Sequence, residues 1–399
     1  MTDRHLFLAS TPLIALEAAG AALEQGGRAQ LVLLEDFDLA SRLAGLLRRW
    51  PDRPFEMIHE LPGRYTEHQL RAGANRSGLR RALHRVLVKR AIRAQTLSCL
   101  EAIEAEFAPG SVWVGNDRKV EAQYALHLAA RRLHQRPGRY LDDGLYTYLG
   151  RLRQRPLVRR VDWLVKGLSY GRWGQPVAQL GTSRWIDQAW LAFPDQAVDQ
   201  DPARQRRTLP REWFTSRAFR RLSALAAREF AVDRAVLRQC AVVLVLPHSN
   251  LIKADPATSA ALVRFIAEAG QGNVRVALKY HPREVDADPA GLLAACGNAT
   301  ALPRLLPMEL LLPLLPRGAL LAGESSTALL AARWLRPDLQ VFDLGVSRSG
   351  YARRARAFFQ QHGIPTVAGD LGMLRQDHLA GSAAPPGHDA SRPLVASLP

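Results

Sequence analysis

The chain has 399 residues, 47% of them hydrophobic, and a formal net charge of +17, so it is long enough to bury the cores of two domains. It contains no run of 18 apolar residues, and its three widely spaced cysteines offer neither a disulfide framework nor metal-ligand spacing. The short apolar stretch near the N-terminus resembles a first strand more than a signal peptide, so we expect a cytoplasmic protein. A charge this positive favours a polyanionic partner, such as nucleic acid, an acidic membrane or an acidic glycan.

The first half of the chain alternates apolar runs with amphipathic stretches. The runs that are typical of buried strands cover residues 5–9, 30–34, 55–59, 112–115 and 139–141. Helical patterns over residues 13–23 and 119–133 separate them. Because strand and helix alternate, we predict a parallel sheet covered on both faces, forming an N-terminal Rossmann-like domain over residues 1–200.

The same pattern returns after a polar, proline-containing segment, residues 201–211, which we predict to be a linker. Predicted strands cover residues 241–246, 274–280, 319–322 and 339–343. They indicate a second Rossmann-like domain over residues 212–377, followed by a tail over 378–399 that is predicted to be disordered. The predicted fold class is therefore α/β, with two parallel-sheet domains facing a cleft into which the carboxyl ends of strands present ligand-binding residues.

A Leu-Asp-Asp-Gly string closes the strand predicted at 139–141, and it supplies two candidate catalytic carboxylates, Asp142 and Asp143. Gly144 permits the sharp turn that leaves a carboxylate at the edge of a cleft. Adjacent acids on an extended segment point to opposite sides, so one of them can act as a general base while the other braces the turn. An isolated Asp-Asp-Gly string is more often only a polar turn.

A Lys-Tyr-His-Pro string closes a strand of the second half. Pro282 restricts the backbone of His281 to extended geometry. The imidazole can donate a hydrogen bond to a phosphate oxygen and so favour departure of a phosphate leaving group. Lys279 adds positive potential for substrate binding, and His248 follows another strand in a similar way. A lone histidine at the end of a strand is more often structural than catalytic.

Three hydroxyl residues, Ser325, Ser326 and Thr327, stand between a predicted strand and a predicted helix. One of them is expected to cap the helix, but three exceed what a cap requires. With the N–H groups of the first helical turn they predict a binding site for phosphate. Glu324 would repel a phosphate there unless its carboxylate is turned away or paired.

Two weaker strings, at residues 10–12 and 115–117, also follow predicted strands. Through them Thr11 and Asn116 are candidate substrate-binding residues of the same cleft, although both strings are ordinary loop and cap chemistry in isolation. The sequence lacks a Walker A loop, a Gly-x-Gly-x-x-Gly turn after the first strand and a Gly-x-Ser-x-Gly elbow. These absences weaken the ATPase, dinucleotide-binding and serine-hydrolase interpretations.

The positive charge is concentrated in two segments. Residues 64–93 contain nine lysines and arginines against one acid, Glu67, and residues 151–173 interleave basic and aromatic side chains. An anionic partner and a solvated surface in an arginine-rich chain both explain these clusters. Neither segment contains a sequence-specific DNA-binding motif, so we expect no nucleic-acid partner.

Taken in chain order, the acidic-acidic-Gly, His-Pro and Ser/Thr strings resemble the motifs of the bacterial sialyltransferases, which include lipooligosaccharide sialyltransferases and capsular polysialyltransferases. The resemblance extends loosely over about 340 residues but depends mainly on these three motifs. It implies a GT-B fold, with the acceptor on the side of the N-terminal domain and the nucleotide sugar on the C-terminal domain. It also implies transfer of sialic acid from CMP-sialic acid to a glycan hydroxyl, with inversion and without a required metal or cofactor.

Carried onto this sequence, the resemblance assigns the base to Asp142 or Asp143, and we favour Asp142. It assigns stabilisation of the leaving group to His281. It assigns binding of the CMP phosphate to Ser325, Ser326 or Thr327.

We therefore predict a sialyltransferase-like enzyme of capsule or lipopolysaccharide synthesis. Its expected partners are the nucleotide-sugar donor, an anionic glycan or glycolipid acceptor and, by peripheral contact, the anionic inner membrane. Two alternatives stay open. One is a GT-B transferase that uses another nucleotide sugar, because no motif reads the sugar ring, and the other is a non-catalytic protein that binds polyanions through its basic clusters.

Overall fold

The computed structural model of the chain describes residues 3–72, 78–150, 173–197, 204–272, 274–294 and 297–367. The predicted disordered tail, and all of the second basic cluster except Trp173, lie outside the described residues. The described strands form two sheets in which every paired strand is parallel.

The N-terminal sheet has seven strands in the order β3-β2-β1-β4-β5-β6-β7. The strands are β1 (Arg4–Ala9), β2 (Arg28–Glu35), β3 (Met57–Pro62), β4 (Ser111–Val114), β5 (Gly138–Leu141), β6 (Ile186–Leu191) and β7 (Gln205–Thr208). The helices of this half are α1 (Pro12–Gln25), α2 (Ala40–Arg49), α3 (Arg64–Ala72), α4 (Gly78–Phe107), α5 (Val120–Leu133) and α6 (Leu145–Leu149). Strand order reverses beside β1, which is where ligands bind in open α/β sheets.

The second sheet has five strands in the order β10-β9-β8-β11-β12. Its strands are β8 (Cys240–Val245), β9 (Arg275–Lys279), β10 (Ala299–Ala301), β11 (Leu320–Gly323) and β12 (Gln340–Asp343). The helices are α7 (Glu212–Thr215), α8 (Arg217–Glu229), α9 (Arg234–Gln239), α10 (Ser249–Lys253), α11 (Pro256–Gln271), α12 (Met308–Leu311), α13 (Thr327–Leu335) and α14 (Gly350–Gln361). The prediction of two α/β domains with parallel sheets is therefore confirmed.

Helix α1 shows how the halves are joined. Thr11 caps its first turn and Pro12 occupies its first position, where the missing N–H costs nothing. The helix is rich in alanine and buried on most sides, because the N-terminal sheet covers one face and α7 another. Trp213 of α7 packs so closely on Gly20 that a Cβ at position 20 would lie 2.4 Å from the Trp213 Cβ. One apolar cluster therefore runs from β1 and α1 through α7 and α8 into the second sheet.

The predicted linker over residues 201–211 needs a correction. Residues 205–208 form β7, which pairs with β6 as the edge strand of the N-terminal sheet. The sequence Gln-Arg-Arg-Thr is polar because all four residues of this edge strand are exposed. Polarity alone therefore does not separate a linker from an edge strand.

At its C-terminal end the described chain returns to the first domain. The Phe358 ring of α14 stacks on Tyr148 of α6, with centroids 5.1 Å apart, and the Arg354 guanidinium donates to the Leu149 carbonyl at 2.6 Å. His362 lies against the Phe193 ring, 4.2 Å between centroids. These contacts hold the second domain against the loops that follow β5 and β6. In the ranges that the structure describes, no helix combines the length and apolarity needed to cross a membrane.

Candidate active site

A cleft of about 1990 Å³ separates the two domains. The segments that follow β1, β2, β4 and β5 line one wall, and the segments that follow β8, β9, β11 and β12 line the other. Of the residues predicted from the sequence, the cleft brings together Thr11, Asn116, Asp143, Lys279, His281, Ser325, Ser326 and Thr327. Asp142 lies beneath the surface of the cleft, with only 2% of its surface exposed.

The Asp142 carboxylate is fully engaged in hydrogen bonds. It accepts from the backbone N–H of Gly144 and of Ala192, each at 2.9 Å, and from the Tyr148 hydroxyl. Burial raises its pKa, and these hydrogen bonds oppose that effect. Asp142 therefore braces the turn, the role expected for one member of an adjacent pair.

Asp143 presents its carboxylate to the cleft. Its backbone N–H donates to the Thr147 hydroxyl at 3.0 Å, which fixes the residue at the entry of the turn. Burial raises the pKa of Asp143 to about 8, and the adjacent Asp142 charge adds to this shift. Lys119 and a 3.5 Å hydrogen bond from the Asn116 amide to Oδ2 oppose it. A carboxyl with this pKa is a stronger proton acceptor, once ionised, than an ordinary aspartate.

Thr11 and Asn116 lie at the ends of neighbouring strands. The Thr11 hydroxyl accepts from the Ile14 N–H at 3.3 Å as the cap of α1. The side-chain oxygen Oδ1 of Asn116 accepts from the Arg118 N–H at 3.2 Å, which orients the side-chain NH₂ group toward Asp143. Asn116 is thus hydrogen-bonded to the acidic turn through Asp143, whereas Thr11 only lines the cleft.

The acidic turn of the first domain touches the Ser/Thr motif of the second. Gly144 adopts a positive φ of 67°, and a Cβ there would lie 2.2 Å from the Thr327 Cγ2 atom. The Leu145 N–H donates to the Thr327 hydroxyl at 3.4 Å. Glycine is needed at position 144 both for its backbone conformation and for this approach. The two motifs, separated by 182 residues in sequence, form one site.

Ser326 is the N-cap of α13, and its hydroxyl oxygen accepts from the Ala328 N–H at 3.2 Å. The Ser325 N–H donates to Asp343 at 2.7 Å, which shapes the loop before the helix. Glu324 accepts from the Val346 N–H at 2.7 Å and the Ser347 N–H at 3.0 Å, and it also accepts from the Ser325 hydroxyl at 3.3 Å. The Ser325 hydroxyl is therefore engaged by Glu324, so Ser326 and Thr327 are the hydroxyl residues that an anion at this helix start would meet.

His281 and Lys279 lie on the second wall. The ammonium group of Lys279 donates to the carbonyls of Pro303 at 3.1 Å and Arg304 at 2.6 Å, and burial lowers its pKa to about 8. Lys279 therefore holds the loop after β10, which lines the cleft. The His281 ring is half-buried, and burial, with help from the nearby cations Arg283 and Lys279, lowers its pKa. His281 is consequently a neutral hydrogen-bond donor at neutral pH.

Sequence reasoning missed two parts of the cleft. One is the loop with Ser347 and Ser349 after β12, where Ser349 caps α14 at 3.1 Å from the Ala352 N–H. The signal was a Ser-x-Ser-Gly string between an apolar run and a helical pattern, the same boundary that identified residues 325–327. The other is a basic wall, which we define as Arg64, His68, Lys89 and Arg93 of α3 and α4. Its residues belong to the first basic cluster, but the sequence did not indicate that they face the cleft.

Across the described ranges, no group of three His, Cys, Asp or Glu side chains is arranged to hold a metal ion. The predicted independence of metal remains a prediction about the reaction, to be tested by activity in the presence of a chelator.

The contact between Gly144 and Thr327 predicts a coupled effect on stability. We expect Gly144→Ala to destabilise the protein by more than the roughly 1–3 kcal/mol that this backbone region, adopted almost only by glycine, costs an alanine, because the new methyl group also meets Thr327. Gly26→Ala is the matched control, since Gly26 has a φ of 66° and no atom lies within 4 Å of the place that a new Cβ would take. Urea unfolding measures both. Equal losses of unfolding free energy in Gly144→Ala and Gly26→Ala would contradict a steric effect of Thr327 on position 144. So would a Gly144→Ala variant that regains no stability when Thr327→Ala is added to it.

Comparison with known proteins is informative for the fold. No protein-family model and no curated protein matches the sequence. Among solved structures, the chain is similar to the UDP-GlcNAc 2-epimerase of Methanocaldococcus jannaschii, with a TM-score of 0.56, 11% identity, and coverage of 95% of this chain and 93% of that one. It is also similar to the α/β-galactoside α-2,3-sialyltransferase of Photobacterium phosphoreum, with a TM-score of 0.52, 10% identity, and coverage of 92% of this chain and 99% of that one. The predicted fold is confirmed: the two parallel-sheet domains have the GT-B architecture.

Proposed function

We propose that the protein is an inverting, metal-independent glycosyltransferase that moves sialic acid from CMP-sialic acid to a glycan hydroxyl in capsule or lipopolysaccharide synthesis. The observation that carries this proposal is the meeting of three motifs in one cleft. The Asp143 carboxylate lies on one wall, the capped start of α13 touches the acidic turn, and His281 lies on the second wall. This arrangement can deprotonate an acceptor at one end while it stabilises a departing phosphate at the other.

Asp143 is the proposed general base. It is the acid of the pair that lines the cleft, whereas Asp142, which sequence reasoning favoured, has its oxygens occupied by Gly144, Ala192 and Tyr148. In the proposed step, the Asp143 carboxylate takes the proton of the acceptor hydroxyl as that oxygen bonds to the anomeric carbon. The bond from the anomeric carbon to the phosphate oxygen breaks, and the nucleotide leaves with the bonding electrons.

The proposed phosphate site is the start of α13. The Ser326 oxygen uses a lone pair to cap the helix, so its O–H remains a donor for a phosphate oxygen. The N–H groups of the first turn and the positive end of the helix dipole favour the same anion. Glu324 is held beside this site by the N–H groups of Val346 and Ser347 and by the Ser325 hydroxyl, so the phosphate would approach on the side of Ser326 and Thr327.

The assignment of the base predicts a specific pH dependence. Only ionised Asp143 can accept a proton, and its pKa is about 8, so kcat/KM should rise with pH below about 8 and level off above it. Asp143→Asn should lower kcat by about 10²–10⁴-fold with little change in nucleotide affinity.

Asp142→Asn is the control. It should lose about 1–3 kcal/mol of stability through its buried hydrogen bonds, while activity survives. Because the Asp142 charge raises the pKa of Asp143, the rising limb should move to lower pH. An active Asp143→Asn variant together with an inactive but folded Asp142→Asn variant would reverse the two roles.

The donor assignment is tested by calorimetry with CMP, UDP and GDP. We expect CMP to bind most tightly and Ser326→Gly to weaken it by about 10- to 150-fold, the loss of one hydrogen bond to a charged group. Glycine is the informative substitution because it retains most of the capping stability that alanine would lose. Tighter binding of UDP or GDP than CMP would favour the alternative, a GT-B transferase for another nucleotide sugar. Binding of none of the three would favour the non-catalytic alternative.

An anionic acceptor is the proposed partner of the basic wall. Arg64, His68 and Lys89 are exposed at the cleft on the side of the N-terminal domain, where the acceptor is expected. We expect the double variant Arg64→Gln and Lys89→Gln to raise KM for an anionic glycan acceptor at about 0.05 M salt, and the difference to shrink near 1 M, where the Debye length is about 3 Å. CMP affinity should not change.

Arg228→Gln serves as the control for this double variant, since Arg228 is an exposed arginine of α8 outside the cleft. An unchanged KM in the double variant at every salt concentration would show that the basic wall is a solvated surface that does not bind the acceptor.

A further inference from the structure

Two tyrosines from different domains meet at the cleft. Tyr146 belongs to α6, which follows the acidic turn, and Tyr351 belongs to the first turn of α14. Their ring centroids lie 5.6 Å apart, the ring planes are inclined by 33°, and both residues line the cleft. Tyr146 nevertheless stays 48% exposed. An aromatic ring that the protein leaves open in a cleft is available for contact with a ligand.

Hydroxyl groups accompany the two rings. Among the described residues, neither tyrosine hydroxyl has a hydrogen-bond partner. Ser349 also lines the cleft, and its oxygen accepts from the Ala352 N–H at 3.1 Å and from the Ser347 hydroxyl at 3.2 Å, so its own O–H remains a donor. The negative face of an aromatic ring attracts the slightly positive C–H bonds on one face of a sugar ring, while hydroxyls bind the edge of the sugar.

The pair lies beside the proposed base. Tyr146 comes three residues after Asp143, at the other end of the acidic turn. Burial raises the pKa of Tyr351 to about 12, and the nearby Tyr146 and Asp143 add to this shift, which places Tyr351 close to both. A general base must be within hydrogen-bond reach of the hydroxyl that it deprotonates. The sugar that bears this hydroxyl would therefore lie next to the two tyrosines.

The charges near the pair favour an uncharged sugar. Asp143 and Glu324 are acids of the cleft, and Glu324 is bonded to the loop that precedes α14. Lys119 and Arg118 also lie near Asp143, but the first is paired with a carboxylate and the second donates to a backbone carbonyl. Arg354 of α14 likewise donates to a backbone carbonyl. Within the described residues, a sugar carboxylate would thus meet acids and cations that already have partners.

We propose that Tyr146 and Tyr351 bind the terminal sugar of the acceptor by stacking, and that this sugar is an uncharged hexopyranose. The inference rests on the proposed function, because it takes Asp143 as the base. The Ser349 and tyrosine hydroxyls bind the edge of the sugar, and its reacting hydroxyl points to Asp143. The anionic groups of the acceptor belong to parts further from the reacting end, which reach the basic wall. Since each domain supplies one tyrosine, the site is complete only when the domains are in contact.

Binding is tested without nucleotide, by saturation-transfer NMR. The probes are methyl β-galactoside, which is uncharged, and the methyl glycoside of N-acetylneuraminic acid, which is charged. We expect the galactoside to contact the protein through the C–H groups of one ring face, and Tyr146→Leu to weaken its binding by about 10-fold. Tyr146→Phe should lose less than Tyr146→Leu, because it retains the aromatic ring.

Tyr124→Leu is the matched control. Tyr124 also belongs to an aromatic pair, with its ring centroid 4.8 Å from that of Trp173, but it lies outside the cleft. Galactoside binding that is the same in wild type and Tyr146→Leu, or equally weakened in Tyr146→Leu and Tyr124→Leu, would overturn the proposal. Tighter binding of the charged glycoside through Tyr146 would overturn the assignment of an uncharged sugar.

Kinetics test whether the site serves the acceptor. With a galactose-terminated acceptor, Tyr146→Leu should raise KM for the acceptor by about 10-fold, with little change in kcat or in CMP affinity. A lower kcat with an unchanged acceptor KM, or weaker binding of CMP, would contradict an acceptor site.

The galactoside experiment distinguishes failure of this sugar site from failure of the proposed function. If CMP fails to bind or Asp143→Asn stays active, while galactoside binding still depends on Tyr146, the proposed function is wrong and the sugar site is right. If CMP binds and Asp143→Asn is inactive, while galactoside binding is independent of Tyr146, the reverse holds.

Discussion

The buried carboxylate of Asp142 is the interaction on which the geometry of the cleft depends. It ties together the turn at Gly144, the start of the loop after β6 at Ala192, and the Tyr148 hydroxyl of α6. The ring of Tyr148 stacks on Phe358 of the second domain. This single buried group thus fixes Asp143 beside it and helps set the approach of the domains. Leaving such a group without its partners would cost several kcal/mol, so the network must form as a unit.

Backbone groups hold the charged side chains that lie near the proposed phosphate end. Glu324 and Glu284 lie next to the proposed phosphate end, and each accepts hydrogen bonds from backbone N–H groups. Lys279 is satisfied in the opposite way, by two carbonyl oxygens. The first wall carries Asp143, whose burial favours the protonated carboxyl, and the second wall carries the proposed anion site at the start of α13. The proposed base and the proposed phosphate site lie on different walls because the two sets of residues belong to different domains.

The sequence predicted the parts of this protein whose physical signals are local. Apolar runs located β1, β2, β4, β5, β8, β9, β11 and β12, and a hydroxyl string at the boundary between strand and helix located the start of α13. It could not locate β7, because an edge strand made of polar residues lacks an apolar pattern. Nor could it choose between Asp142 and Asp143, since that choice depends on Tyr148 and Ala192, which are 6 and 50 residues away from Asp142. The orientation of α3 and α4 toward the cleft also depends on tertiary packing, so the sequence alone could not predict it.

The contact of Trp213 with Gly20 determines how this chain can be divided. Trp213 belongs to the second half of the sequence, but its ring stacks on Trp190 of the first sheet and covers the surface of α1. A fragment that stops before residue 212 would expose this apolar surface to water, and a fragment that starts there would carry an unburied tryptophan. Each half would therefore expose apolar surface when cut from the other, although each has its own sheet. Co-expressed as two polypeptides, the halves carry complementary surfaces through which they can reassociate, much as a swapped segment is exchanged between copies of one protein.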